Sequence, residues 1–225
     1  MKNTIIKALI IIITFVSAFS FAETGQIEKD NKDLTQFDYP FMIGKWNAVS
    51  EASGLPTKMS VVMNFNSDYT YQIVVYNTGQ LMINEKGIYS IKDSSEITLL
   101  NGTGEVQKYN LRMTQDKMIM NGMLFIKETP LGLSGAWNST TIKHEINGLT
   151  NLNLLITEDF LFKMNVSSGD GKKKVSEGVY VVDGGDIMFM TREGESVGSY
   201  TVEEDILKLN LENGELYSEL ARVKH

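Results

Sequence analysis

The 225-residue chain contains no cysteine. That absence removes disulfides, thiolate nucleophiles, zinc–thiolate sites and lipid attachment at an N-terminal cysteine together. Histidine is nearly as scarce. His144 and the terminal His225 are the two in the chain, so a Ser-His-Asp arrangement would have to recruit one of them, and no histidine pair has metal-binding spacing. His144 stands beside Glu145 in what reads as a loop, where a solvated histidine is the simpler account than a catalytic base. A Gly-rich phosphate loop and an EF-hand pattern are also missing. Carboxylates are plentiful but fall at turns, as in Asp183-Gly184-Gly185-Asp186 and Glu203-Glu204-Asp205, where turn chemistry and solubility explain them better than glycoside cleavage does. The expectation is a protein that is not an enzyme and uses no cofactor and no metal.

Long apolar runs are absent after the N-terminus. Residues 1–22 read as a secretory signal: Lys2 and Lys7 make a positive start, Ala8 to Val16 is apolar, and Ser20-Phe21-Ala22 offers small residues for cleavage after Ala22. The apolar run is shorter than the ~20 residues that span a bilayer, which disfavours a retained anchor, and the mature chain is expected to have no membrane span. Excess positive charge is lacking too. The chain carries 21 basic and 28 acidic residues, and loss of the two signal lysines moves the formal charge from −7 to −9. Such a balance repels nucleic acid. The one dense basic run, Lys172-Lys173-Lys174, sits beside Gly169-Asp170-Gly171 and reads as a solvated hairpin tip. Three prolines and 42% hydrophobic residues suit a folded core, and without disulfides that core alone must hold an exported protein. The short signal fits a Gram-negative envelope protein, periplasmic or secreted.

What is present is β patterning, written twice. Residues 23–36 are polar and read as a flexible lead-in. From there Met59, Val61, Met63 and Phe65 share one parity, and Tyr69, Tyr71, Ile73 and Val75 share the next, as strands with one buried face do. Further runs at Leu81 to Ile91, Glu96 to Leu100, Glu105 to Met113, Lys117 to Met120 and Met123 to Lys127 bring the count to about eight, with Lys45 to Ser50 as the first. Asn101-Gly102 and Asn121-Gly122 punctuate them, since asparagine and glycine tolerate the positive φ of tight hairpins. The pattern then restarts. Gly44-Lys45-Trp46-Asn47 and Gly135-Ala136-Trp137-Asn138 hold both tryptophans and lie 91 positions apart. At that offset Asp68, Val75, Gly87, Tyr89, Val106 and Tyr109 face identical residues, without a gap from 44 to 109, and the buried parity is kept through both copies. This is an internal duplication of about 90 residues.

Eight sequential strands would leave two exposed edges as an open sheet, and closure removes them. The expected fold is all-β: two tandem small antiparallel up-and-down β-barrels, residues 37–129 and 130–225. The alternative is one continuous structure in which the copies share strands.

At the Gly-x-Trp positions, and in the approach Phe37-Asp38-Tyr39-Pro40-Phe41-Met42-Ile43, the chain resembles the lipocalin-type (calycin) family. Both copies are short and look most like abbreviated lipocalin-like domains of bacterial envelope proteins. The resemblance implies structural roles for Gly44, Trp46, Gly135 and Trp137, each tryptophan plugging the closed end of a barrel. It also implies a cation from the last strand over each ring, for which Lys127 and Arg222 are the candidates. Any site should then lie at the open ends, near residues 53–57 and 144–150, or in the seam between the copies. Candidate interior ligand contacts are Met63, Phe65, Tyr69 and Tyr71 in the first copy and Phe160, Phe162 and Met164 in the second. Because strands this short point large side chains inward, a packed interior and a hollow one both remain open, and ligand binding does not follow from the fold. Met118, Met120, Met123, Met188 and Met190 are better explained by adaptable packing than by Cu(I). Two functions stay open: binding a small apolar or amphipathic ligand, or contacting an envelope protein partner through the seam or loops as an inhibitor, assembly factor or chaperone-like accessory.

Overall fold

The computed structural model describes residues 39–49, 58–144, 148–211 and 215–224. The signal and lead-in, residues 53–57 and His225 lie outside them. A 3-10 turn, Pro40–Met42, leads into β1 (Gly44–Ala48). Then follow β2 (Met59–Phe65), β3 (Thr70–Asn77), β4 (Gln80–Lys92), β5 (Glu96–Asn101), β6 (Val106–Met113), β7 (Lys117–Met120) and β8 (Met123–Lys127). Every neighbour is antiparallel, and β8 returns to pair with β1, closing an eight-stranded barrel. The second copy repeats this with β9 (Gly135–His144), β10 (Leu149–Ile156), β11 (Leu161–Ser168), β12 (Lys173–Asp183), β13 (Asp186–Met190), β14 (Glu195–Glu203), β15 (Ile206–Leu211) and β16 (Leu216–Arg222). Here β16 closes onto β9, so the two copies share no strand.

Two features repeat because the same local problem recurs. The long strands β4 and β12 each change partner midway, and the bend falls on Gly87 and on Gly178. A Cβ at either place would overlap the carbonyl oxygen of the next strand, at Leu100 and Met190 respectively. Glycine lets the backbones close in and turns the barrel corner. At the closed ends, the Trp46 indole N–H donates to the Met42 carbonyl at 2.9 Å and that of Trp137 to Leu133 at 3.0 Å. Both rings are fully buried.

Three expectations need correction. Tyr69 and Phe160 are not strand residues. They occupy equivalent closed-end turns at φ +60° and +64°, and their rings pack on Tyr89 and Tyr180 at 5.7 and 5.4 Å. Second, the gapless 91-residue offset ends at Tyr89 and Tyr180. Tyr89 pairs with Leu99 but Tyr180 with Phe189, because the β12–β13 turn is one residue shorter than the β4–β5 turn, and the offset becomes 90. Ile97 then faces Tyr109 while Ile187 faces Gly198, which takes it to 89. The identities at Val106 and Tyr109 are therefore not structural equivalents: Gly198, not Tyr200, stands where Tyr109 does. Third, His144 ends β9 rather than lying in a loop, its backbone opposite Leu216.

The barrels abut. Outward-facing Val181 and Met188, on β12 and β13, are buried in the first barrel's core cluster, with Met190 and Val197 packed beside them. Asp183 accepts hydrogen bonds from the Ser67 backbone N–H, at 2.9 Å, and from its hydroxyl. Thr129 donates to the Glu158 carbonyl at 3.1 Å. Met188 and Met190 thus fill the seam, whereas Met118 and Met120 fill the first barrel.

Candidate functional site

The closed ends hold structure rather than chemistry. Lys127 Nζ lies 5.5 Å from the centre of the Trp46 ring, and the Arg222 guanidinium carbon 4.1 Å from that of Trp137. Gly44 and Gly135 sit at φ +117° and +144°, and a Cβ on either would press on the cation that covers the ring. That crowding explains the glycine of each Gly-x-Trp. The two cations are held differently. Arg222 is ion-paired with Asp205 at 3.3 Å and donates to the Ser134 carbonyl at 2.7 Å. Lys127 is covered by the second barrel: Phe160 lies 4.8 Å away, and the amine donates to the Phe41 carbonyl at 3.2 Å. Burial pushes the Lys127 amine down to about 7.

The open ends differ more sharply. In the first barrel the inward positions near the mouth carry Tyr71, Glu85, Asn101, Gln107 and Tyr109. The Tyr71 hydroxyl donates to Glu85 at 2.8 Å, the Asn101 amide reaches Glu85 at 3.4 Å, and the Tyr109 hydroxyl bonds Gln107. Burial, then the Glu85 hydrogen bond, drives the Tyr71 phenol far above its ordinary range, and burial pushes Tyr109 up to about 12. Both phenols therefore stay neutral donors. Large hydrogen-bonded side chains occupy this mouth.

The corrected register places Phe162 where Tyr71 stands, Ser176 for Glu85, Ser196 for Gln107 and Gly198 for Tyr109. Every replacement is smaller or loses its polar end, and space opens. A cup of about 250 Å³ forms at the mouth of the second barrel, lined by Phe162, Met164, Ser176, Phe189, Thr191, Ser196, Leu211 and Leu216, with Lys174, Glu193 and Glu195 on its rim. Its floor is the Phe162–Phe189 ring pair, centroids 4.7 Å apart and both rings buried. Lys174 is paired with Glu193 at 3.3 Å. The cup offers apolar walls and a few hydroxyls.

Of the seven interior candidates, the structure brings Phe162 and Met164 to the cup. Met63, Phe65 and Tyr71 are buried in the filled first barrel, Phe65 edge-on to Tyr89 at 5.0 Å. Tyr69 and Phe160 lie at closed ends, away from either mouth. Lys174, read from the sequence as part of a loop tip, is instead on β12 at the rim. Ser176, Phe189, Ser196 and Leu216 carried no motif; a comparison of inward positions between the copies would have flagged Ser176 opposite Glu85.

A second depression of about 840 Å³ lies on the outside of the second barrel, where Phe41 meets Leu155, Leu161, Val175, Val179 and Met190. Leu155, Leu161 and Val175 are exposed. Among the described residues no three His, Asp or Glu side chains group as metal ligands, and no helix is long and apolar enough to cross a membrane. No family model and no characterised protein matches the chain.

Proposed function

We propose that this is an exported, non-enzymatic, lipocalin-like protein of the bacterial envelope that holds one small apolar or amphipathic molecule in the mouth of the second barrel. The observation that supports this reading is the difference between the copies. The same eight-stranded frame is filled in the first barrel by Tyr71, Glu85 and Gln107, and relieved in the second by Phe162, Ser176 and Ser196. Small barrels have just enough interior for such a choice between side chains and a ligand. An apolar floor with a few polar groups at the rim is the usual character of a ligand site. The Gly-x-Trp starts and their covering cations are what make the barrels lipocalin-like.

The test is titration with a neutral, polarity-sensitive single-ring dye, 4-(dimethylamino)benzonitrile. One dye per chain is expected for the folded protein, and Ser176→Leu, which fills the cup, should abolish binding while leaving the thermal midpoint nearly unchanged. No stoichiometric binding, or binding indifferent to Ser176→Leu, would overturn the reading.

A second reading, contact with an envelope protein, is favoured by one observation: Leu155, Leu161 and Val175 leave an exposed apolar strip beside the seam. Because both barrels are closed, a partner has no strand edge to extend and would dock through side chains. Leu161→Glu should then weaken partner binding without touching dye binding.

A further inference from the structure

Resting on that reading, we infer that the cup selects a compact ligand, one ring or a short branched chain, whose polar end is neutral or cationic and not anionic. Size comes first. The cup holds about 250 Å³, at the lower edge of the ~300–1,000 Å³ common for ligand pockets. The buried Phe162–Phe189 pair closes it below, and beneath that floor Tyr180, Leu154 and Leu209 fill the barrel toward Trp137. A long acyl chain has nowhere to extend. A single ring can lie against the phenylalanine pair with Met164, Leu211 and Leu216 around it, and aromatic and thioether contacts of this kind are favourable.

Charge decides the head. Among the described residues three ionic groups stand on the rim. Lys174 is already paired with Glu193, and Glu195 adds a second carboxylate, so these three groups sum to one negative charge. An anionic head would meet that carboxylate within a strongly acidic chain, and the lysine that could receive it is engaged. A neutral hydroxyl or an ammonium meets hydroxyl-bearing walls, Ser176, Thr191 and Ser196, and the Glu195 field. These are exposed rim charges, so discrimination should be modest and sensitive to salt.

Three probes with one apolar body separate these terms: phenethylamine, phenethyl alcohol and 3-phenylpropanoate, each competing against the dye. The expected order is amine, alcohol, then carboxylate, with a ~2- to 5-fold step between amine and carboxylate at low ionic strength. That step should collapse at ~1 M salt, where screening acts over ~3 Å. Glu195→Gln should erase the preference by weakening the amine and strengthening the carboxylate toward the affinity of phenethyl alcohol. Glu195 begins β14 with an exposed side chain, so the variant should fold as the parent does. 3-Phenylpropanoate bound as tightly as phenethylamine would overturn the head-group inference and leave the ligand-binding reading standing. Displacement by decanoate but by none of the three would overturn the size inference. A dye indifferent to Ser176→Leu would instead bring down the reading itself, and this inference with it.

Discussion

Replacing Lys127 by methionine should change the pH dependence of stability more than stability itself. Lys127 is 5% exposed, and among the described residues its amine has no carboxylate partner and rests between Trp46 and Phe160, donating to the Phe41 carbonyl. Burial lowers its pKa from 10.5 to about 7. A group whose folded pKa lies below its unfolded value binds fewer protons when folded, so stability rises with pH between the two values. The burial cost is borne fully below about pH 7 and has vanished above about pH 10.5. Roughly 3.5 pKa units correspond to ~5 kcal/mol. The two ring faces, worth up to ~2 kcal/mol each when desolvated, favour the charged form and offset part of that. A net swing of a few kcal/mol remains. Methionine keeps the stem's packing and removes the titration. Urea midpoints of parent and Lys127→Met, measured at about pH 6 and about pH 10, should therefore show the variant gaining on the parent at the lower pH. The same difference at both pH values would refute the reasoning. Arg222→Met is the control, because arginine stays charged throughout this window and its ion pair with Asp205 lacks the effect.

Other substitutions probe the frame. Trp46→Ala and Trp137→Ala should each cost ~3–5 kcal/mol in chemical denaturation, since each removes a fully buried ring from a separate core; unchanged unfolding in both would contradict two independent closed ends. Gly135→Ala should lower the melting temperature and disturb Arg222, because the added Cβ falls on the guanidinium at a left-handed φ; an unaltered melt would contradict that crowding. Tyr71→Phe should destabilise by ~1–3 kcal/mol by taking the short hydrogen bond from a half-buried carboxylate, whereas Phe162→Tyr should be near neutral, and equal effects would contradict the asymmetry of the two mouths.

The fold was readable because its signals are periodic. Met59, Val61, Met63 and Phe65 share one parity, and β2 has those bounds with the odd residues buried. The restart at Gly135 announced the second barrel. The site was not readable for three physical reasons. Serine at 176 and 196 acts by being small, and smallness leaves no motif. The β12–β13 and β13–β14 turns are each one residue shorter than their counterparts, which displaces the copies by two residues and hides which side chains correspond, so the sequence sets Tyr109 against Tyr200 rather than Gly198. The seam drew on outward-facing Val181 and Met188, whose parity is what an exposed face would show. Tyr69 and Phe160 kept strand parity in sequence while adopting turn geometry, because the barrel needs an aromatic lid where the chain reverses.

The most direct test of the second barrel's mouth as the binding site is the methyl spectrum of the protein labelled at its methionines, recorded as phenethyl alcohol is added. Met164 lines the cup, while Met63 and Met118 are buried in the first barrel. The account predicts that the Met164 signal moves with saturation and that Met63 and Met118 stay fixed. Movement of Met63 or Met118 with Met164 unchanged would contradict it.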